Sequence, residues 1–332
     1  MRKKDDNPTN LMSNFFRGHN PNNAVAHYNL GVVLDKQGRK EDAEKEYREA
    51  IRSNPDHPKA HYNLGVALDK QGRTEDAEKE YREAIRCSPD LAHAHYNLGV
   101  VLDKQGRTED AEKEYREAIR CNPDDAEAHN NLGVALDKQG RLEDAEKEYR
   151  ETIRCNPDLA HAHNNLGAVL DKQGRAEDAE KEYREAIRCN PNYSKAHYNL
   201  GVALGRQERA TKAEKAYREA IRCNPNDAES HYNLGVILGK QDRAAEAEAE
   251  YREAIRCNPN LANAHYNLGV LLDKQGRHED AEAEYREALR CNPNDAEVHN
   301  HLGVALDKQG RMEDAEKEFR EVIRCNSELA SA

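Results

Sequence analysis

The sequence repeats itself every 34 residues, and few features restrict a fold as tightly. The pairs Leu30-Gly31, Leu64-Gly65 and Leu98-Gly99 recur at that interval as far as Leu302-Gly303, in nine copies with no insertion or deletion between them. The copies start at residues 24, 58, 92, 126, 160, 194, 228, 262 and 296 and fill 24–329. A strict period of this size predicts a stacked array, in which each unit buries its apolar face against its neighbours.

The copy at 92–125 reads as two helices. Leu98, Val101 and Leu102 recur at helical spacing in the first, which ends at Gly106, a residue suited to the left-handed backbone that closes a helix. The second begins near Thr108, which offers an N-cap, with Glu109 and Asp110 complementing the positive end of the helix. Ala111, Tyr115, Ala118 and Ile119 form its apolar stripe. Pro123 then forces a turn, because it cannot continue the helix. Gly99, Ala111 and Ala118 leave room for close backbone approach, and Leu98, Leu102 and Tyr115 fill the rest.

Counted from the first residue of a repeat, Leu98 and Gly99 are at positions 7 and 8, Ala111 at 20, Tyr115 at 24, Ala118 at 27 and Pro123 at 32. In these residues the chain resembles the tetratricopeptide repeat family. The resemblance implies an all-α, right-handed α-solenoid, or superhelix, of nine tandem helix-turn-helix repeats. One departure is consistent: position 4, an aromatic in the family, is His in every copy, from His27 to His299.

Composition fits an array. Charged residues make up 34% and hydrophobic ones 37%, but the apolar residues are placed periodically, as a thin continuous core requires. The net charge of −12 argues against non-specific nucleic-acid binding, which needs Lys and Arg to neutralise phosphate. No apolar run approaches a membrane span. Residues 1–23 form an N-terminal arm without the apolar core of a secretory signal. Within it, Leu11, Met12, Phe15 and Phe16 predict a short capping helix over 10–19. Residues 330–332 read as the start of a truncated tenth unit, and the preceding face, around Phe319, Val322 and Ile323, is expected to be uncovered. In repeats six and seven, Glu208 and Asp242 take the place of the helix-closing glycine.

The eight cysteines, Cys87 to Cys325, share position 30. Equivalent positions in packed repeats lie ~8–10 Å apart, too far for a disulfide, which needs Cα atoms within ~7 Å, so free thiols in a reducing, cytoplasmic setting are expected. One cysteine or histidine per repeat cannot assemble a metal site, and no cofactor is expected. The position-4 histidines are expected to be packed and neutral, with stability falling in mild acid. Every notable His, Asp and Glu recurs eight or nine times, which suits a lattice and not a unique catalytic centre, so no enzyme activity is expected.

What the resemblance implies about function rests on the first helices, whose positions 2, 5, 6, 9, 12 and 13 face the concave side in this family. Position 6 is Asn29, Asn63, Asn97, Asn131, Asn165, Asn199, Asn233 and Asn267, and then His301. Position 5 is Tyr28, Tyr62, Tyr96, Tyr198, Tyr232 and Tyr266, with Asn130, Asn164 and Asn300 elsewhere. This set is similar to the asparagine ladder of the O-linked N-acetylglucosamine transferase superhelix, which holds extended peptide by its backbone. A protein-interaction scaffold binding a protein or peptide ligand, as an extended segment in the groove, is the expected function, with no nucleic acid and no membrane as partner. Two alternatives stand beside it: the substrate-recruiting region of a larger enzyme, and a structural rod that self-associates through its C-terminal end.

Overall fold

The computed structural model describes residues 21–331, so the capping helix expected over 10–19 lies outside the described residues. The first helices of the nine repeats are α1 (Pro21–Lys36), α3 (Pro58–Lys70), α5 (Ala92–Lys104), α7 (Ala126–Lys138), α9 (Ala160–Lys172), α11 (Ser194–Arg206), α13 (Ala228–Lys240), α15 (Ala262–Lys274) and α17 (Ala296–Lys308). Their second helices are α2 (Lys40–Ser53), α4 (Thr74–Cys87), α6 (Thr108–Cys121), α8 (Leu142–Cys155), α10 (Ala176–Cys189), α12 (Ala210–Cys223), α14 (Ala244–Cys257), α16 (His278–Cys291) and α18 (Met312–Ser331). The fold is an all-α solenoid of nine helix-turn-helix repeats, with no strand among the described residues. The chain divides into two compact units, Met1–Val169 and Leu170–Ala332. Within each, a second helix packs on its own first helix and on the first helix of the next repeat, and successive first helices touch.

The core is thin and repeats with the sequence. Leu98, Val101, Leu102, Ala111, Tyr115 and Ala118 are all buried, and their counterparts recur along both units. Position 8 must be glycine for a physical reason. A Cβ on Gly99 would stand 2.6 Å from Cε1 of Tyr115, so the tyrosine ring lies directly on the backbone of the first helix.

The second helices start differently from the sequence expectation. The N-cap of α6 is Arg107, not Thr108, and its side chain makes no capping bond. Instead the Arg107 guanidinium donates to Asp110 Oδ2 (Nε 3.2 Å, Nη2 3.0 Å) and to Glu78 of the preceding repeat (Nη1 2.9 Å). Glu78 also accepts from Arg82, one turn along its own helix, at 2.9 Å. The same Arg-Glu-Arg arrangement recurs at Arg141, Glu112 and Arg116 and at Arg277, Glu248 and Arg252. It ties these second helices to the next repeat.

The last second helix does not stop at position 30. It runs on through Ser331, because Ser327 stands where the other repeats turn at proline and its N–H can stay in the helix. Phe319 is 36% exposed and Ile323 66%, whereas the tyrosines equivalent to Phe319 are at most 5% exposed. The difference shows that the next repeat supplies much of each second helix's cover.

Candidate functional site

The asparagine ladder is braced from inside the protein. Asn97 Nδ2 donates to the Tyr62 hydroxyl of the preceding repeat at 3.0 Å, Asn131 to Tyr96 at 3.2 Å, Asn233 to Tyr198 at 3.4 Å and Asn267 to Tyr232 at 3.2 Å. Where position 5 is asparagine the brace survives, with Asn165 donating to Asn130 Oδ1 at 3.3 Å. The tyrosines Tyr28, Tyr62, Tyr96, Tyr198, Tyr232 and Tyr266 are half-buried, each ring tilted against the position-24 tyrosine of its own repeat at centroid distances of 6.0 to 6.3 Å. Asn63, Asn97, Asn131, Asn165, Asn199, Asn233 and Asn267 are half-buried, and Asn29, in the first repeat, is exposed. Asn130 and Asn164 are buried. Positions 5 and 6 therefore lie together on one face of the first helices, at the seam between repeats.

A second register on the first helices was not read from the sequence. The cation at position 13 pairs with the aspartate at position 12 of the preceding repeat: Lys104 with Asp69 at 2.9 Å, Lys138 with Asp103 at 2.7 Å and Lys308 with Asp273 at 2.6 Å, and Arg206 with Asp171. Gly205 and Gly239 remove that acid in front of Lys240 and Lys274. Both lysines line one cavity of about 300 Å³, together with Val236, Gly239, Tyr251, Asn267, Val270 and Leu271. A Cβ at Gly239 would lie 3.7 Å from the Tyr251 hydroxyl, which shows where the missing side chain leaves its space. The signal was present as two coincident changes of Asp to Gly at one repeat position.

The histidines are not inert filling. In His61, His95, His129, His231 and His265, Nε2 donates to the carbonyl of the preceding turn proline, at 2.8 to 3.2 Å. Their Nδ1 atoms lie 2.6 to 2.7 Å from a glutamate of the repeat's own second helix, for example Glu114 opposite His95. A carbonyl only accepts, so Nε2 must carry a hydrogen. A neutral ring would then turn a lone pair towards a carboxylate, and the doubly protonated ring is favoured. Burial pulls His61 and His95 down, but the glutamate and the proline carbonyl outweigh it and hold both above the ordinary histidine value. In His129, His231 and His265 the glutamate hydrogen bond leads, against burial, with the same result. The expectation of neutral histidines with lowered pKa is thereby corrected. The sequence reading counted burial and overlooked the acid 19 residues downstream.

Among the described residues no group of three or more His, Cys, Asp and Glu is placed to hold a metal, and no helix is long and apolar enough to cross a membrane. The eight cysteines carry free thiols, seven half-buried and Cys325 buried. Cys87 Sγ sits 3.9 Å from Asp56 Oδ1 of the preceding repeat, and burial pushes its thiol pKa up.

The tetratricopeptide repeat model matches residues 28–92, 96–160, 137–194, 164–228, 198–262, 232–296 and 266–330. The chain belongs to the tetratricopeptide repeat family. Among solved structures it is similar to PilF of Pseudomonas aeruginosa, at 23% identity and a TM-score of 0.57, over 62% of this chain and 94% of that one. It is also similar to Cut9–Hcn1 of the APC/C, at 16% identity and a TM-score of 0.58, over 80% of this chain and 52% of that one. YrrB, described as a TPR protein with an unusual peptide-binding site, aligns at 24% identity and a TM-score of 0.48, over 59% of this chain and 97% of that one. These likenesses concern the fold. No curated protein matches the sequence.

Proposed function

We propose that the chain is a protein-interaction scaffold whose first helices hold an extended segment of a partner. The supporting observation is the ladder. At Asn97 and Asn267 one N–H is spent on a tyrosine of the preceding repeat, which fixes the amide and leaves a second N–H and a carbonyl oxygen on a half-exposed side chain. An amide so fixed pairs with a peptide unit whatever the sequence of the segment. Repeats ~10 Å apart meet about every third residue of an extended chain, which advances ~3.3 Å per residue. The lysine-lined cavity at Lys240 and Lys274 supports an acidic side chain at that point of the segment. Each hydrogen bond adds ~0.5–1.5 kcal/mol net and ordering a segment costs several kcal/mol, so micromolar affinity is expected.

The test is a peptide array probed with wild type, with an N97A/N131A/N165A variant, and with Y62F/Y96F. The asparagine variant loses most bound peptides, and the phenylalanine variant, which removes the brace and keeps the amides, loses fewer. Retention of all peptides by the asparagine variant overturns the reading. Self-association through the last repeat is a second reading, favoured by the exposure of Met312 (64%), Phe319 and Ile323. It requires a concentration-dependent mass in sedimentation that I323K abolishes.

A further inference from the structure

Position 23 is glutamate in eight repeats and alanine in the sixth, Ala216. The paired histidine remains. His197 is only 8% exposed and its Nε2 is committed to the Pro191 carbonyl at 3.0 Å, as in the other repeats. The carboxylate that elsewhere stands 2.6 to 2.7 Å from Nδ1 is missing. In its place is a cavity of about 400 Å³ lined by His197, Ala216, Ile187, Leu200 and Leu204, with Arg184, Lys212 and Lys215 at its polar side. Lys212 is itself a reversal of charge, because this position is aspartate in seven repeats and glutamate in one. The only carboxylate in the lining, Glu219, is held by Arg222 Nε at 2.8 Å. Arg184 is paired with Glu180, and Lys215 shares the field of Glu219, which leaves Lys212 as the cation in the lining that faces no acid of its own among the described residues.

We infer that this cavity binds a carboxylate with a short aliphatic tail, seated on His197 where the other repeats place their own glutamate. Its tail would lie against Ile187, Leu200 and Leu204, and Lys212 and Lys215 complement its charge. The other repeats supply the template for the site: they show that this histidine socket accepts a carboxylate, at what distance, and from which helix it normally comes.

The experiment is calorimetric titration of the full chain with pentanoate, using pentanol and pentylamine as neutral and cationic counterparts. Pentanoate is expected to bind with a stoichiometry of one, at least tenfold more tightly than either counterpart. A216E puts the carboxylate back on the protein and is expected to weaken pentanoate at least tenfold while raising the melting temperature. Eight repeats already carry that glutamate, so the variant is compatible with the fold, and H197Q tests the same site from the other side. Absence of binding to wild type, a stoichiometry near nine, or equal binding to A216E and H197Q would each overturn the inference.

Discussion

At the scale of single residues, the least comfortable positions are Glu208 and Asp242. Seven repeats close the first helix with glycine at φ between 75° and 78°, and in repeats six and seven Glu208 and Asp242 hold the same left-handed backbone at φ 58° and 59°. The closing bond is unchanged, since Arg209 N donates to Leu204 O at 3.0 Å as Arg107 N does to Leu102 O at 2.9 Å. The changed sequence therefore keeps the old turn and bears its strain, which is ~1–2 kcal/mol for a residue with a Cβ. E208G and D242G should each raise stability by about 1 kcal/mol, slightly offset by the entropy of glycine in the unfolded chain. Urea unfolding measures this directly, and unchanged midpoints would show that the acids gain something at the turn that the geometry does not reveal. The glycines at this position were legible because a left-handed residue has a chemical signature. The acids were legible only as exceptions, since sequence alone does not say whether the turn or the residue yields.

At the scale of paired helices, the His–Glu strut decides how stability responds to pH. The folded-state pKa of His61, His95, His129, His231 and His265 lies above the ordinary value. The unfolded value is ~6.5. Their contribution is then fully present below that value and is lost as pH rises through the folded pKa, because the native state binds the extra protons there. On the acid side the sign is opposite. Burial pushes Glu78 and Glu112 up, but hydrogen bonds from Arg82, Arg107 and Gln105 at Glu78, and from Gln139, Arg116 and Arg141 at Glu112, outweigh it and leave them lowered. Their contribution is present above the ordinary carboxylate value and is lost as pH falls through the folded one. The melting temperature should therefore be higher at pH 6 than at pH 8.5, and E114Q with E148Q, which remove the carboxylates facing His95 and His129, should flatten that slope. A melting temperature that rises towards pH 8.5 would count against the strut. Helix order, core and turn were all readable from apolar spacing, because burial of one face leaves a period in the sequence. The strut and the Arg-Glu-Arg ties were not, because charged positions recur on every face of a charged repeat and nothing in the period says which ones meet. The ladder stands between these cases: positions 5 and 6 are legible as one set, but the bond from each amide to the tyrosine of the preceding repeat is not, because the period does not say which side chains of neighbouring repeats meet.

At the scale of the whole molecule, the array makes stability local. Each repeat contacts only its neighbours, so an identical loss costs most where neighbours are present on both sides. Tyr149 is 1% exposed and lies between packed helices, whereas its counterpart Phe319, in the ninth repeat, is 36% exposed. Y149A should cost about 3–5 kcal/mol, as for a buried aromatic, and F319A markedly less. The same gradient should appear without mutation. Backbone amides of α18 should exchange with solvent before those of α8, since local opening is cheapest where the fewest apolar contacts are broken. Hydrogen-exchange mass spectrometry resolves the two helices, because the flanking sequences around Leu142 and Met312 give distinct peptides. If α18 is protected as strongly as α8, the exposed face around Phe319 and Ile323 must be covered in solution. Dilution then separates a second copy, whose protection falls with concentration, from cover supplied within the chain, whose protection does not.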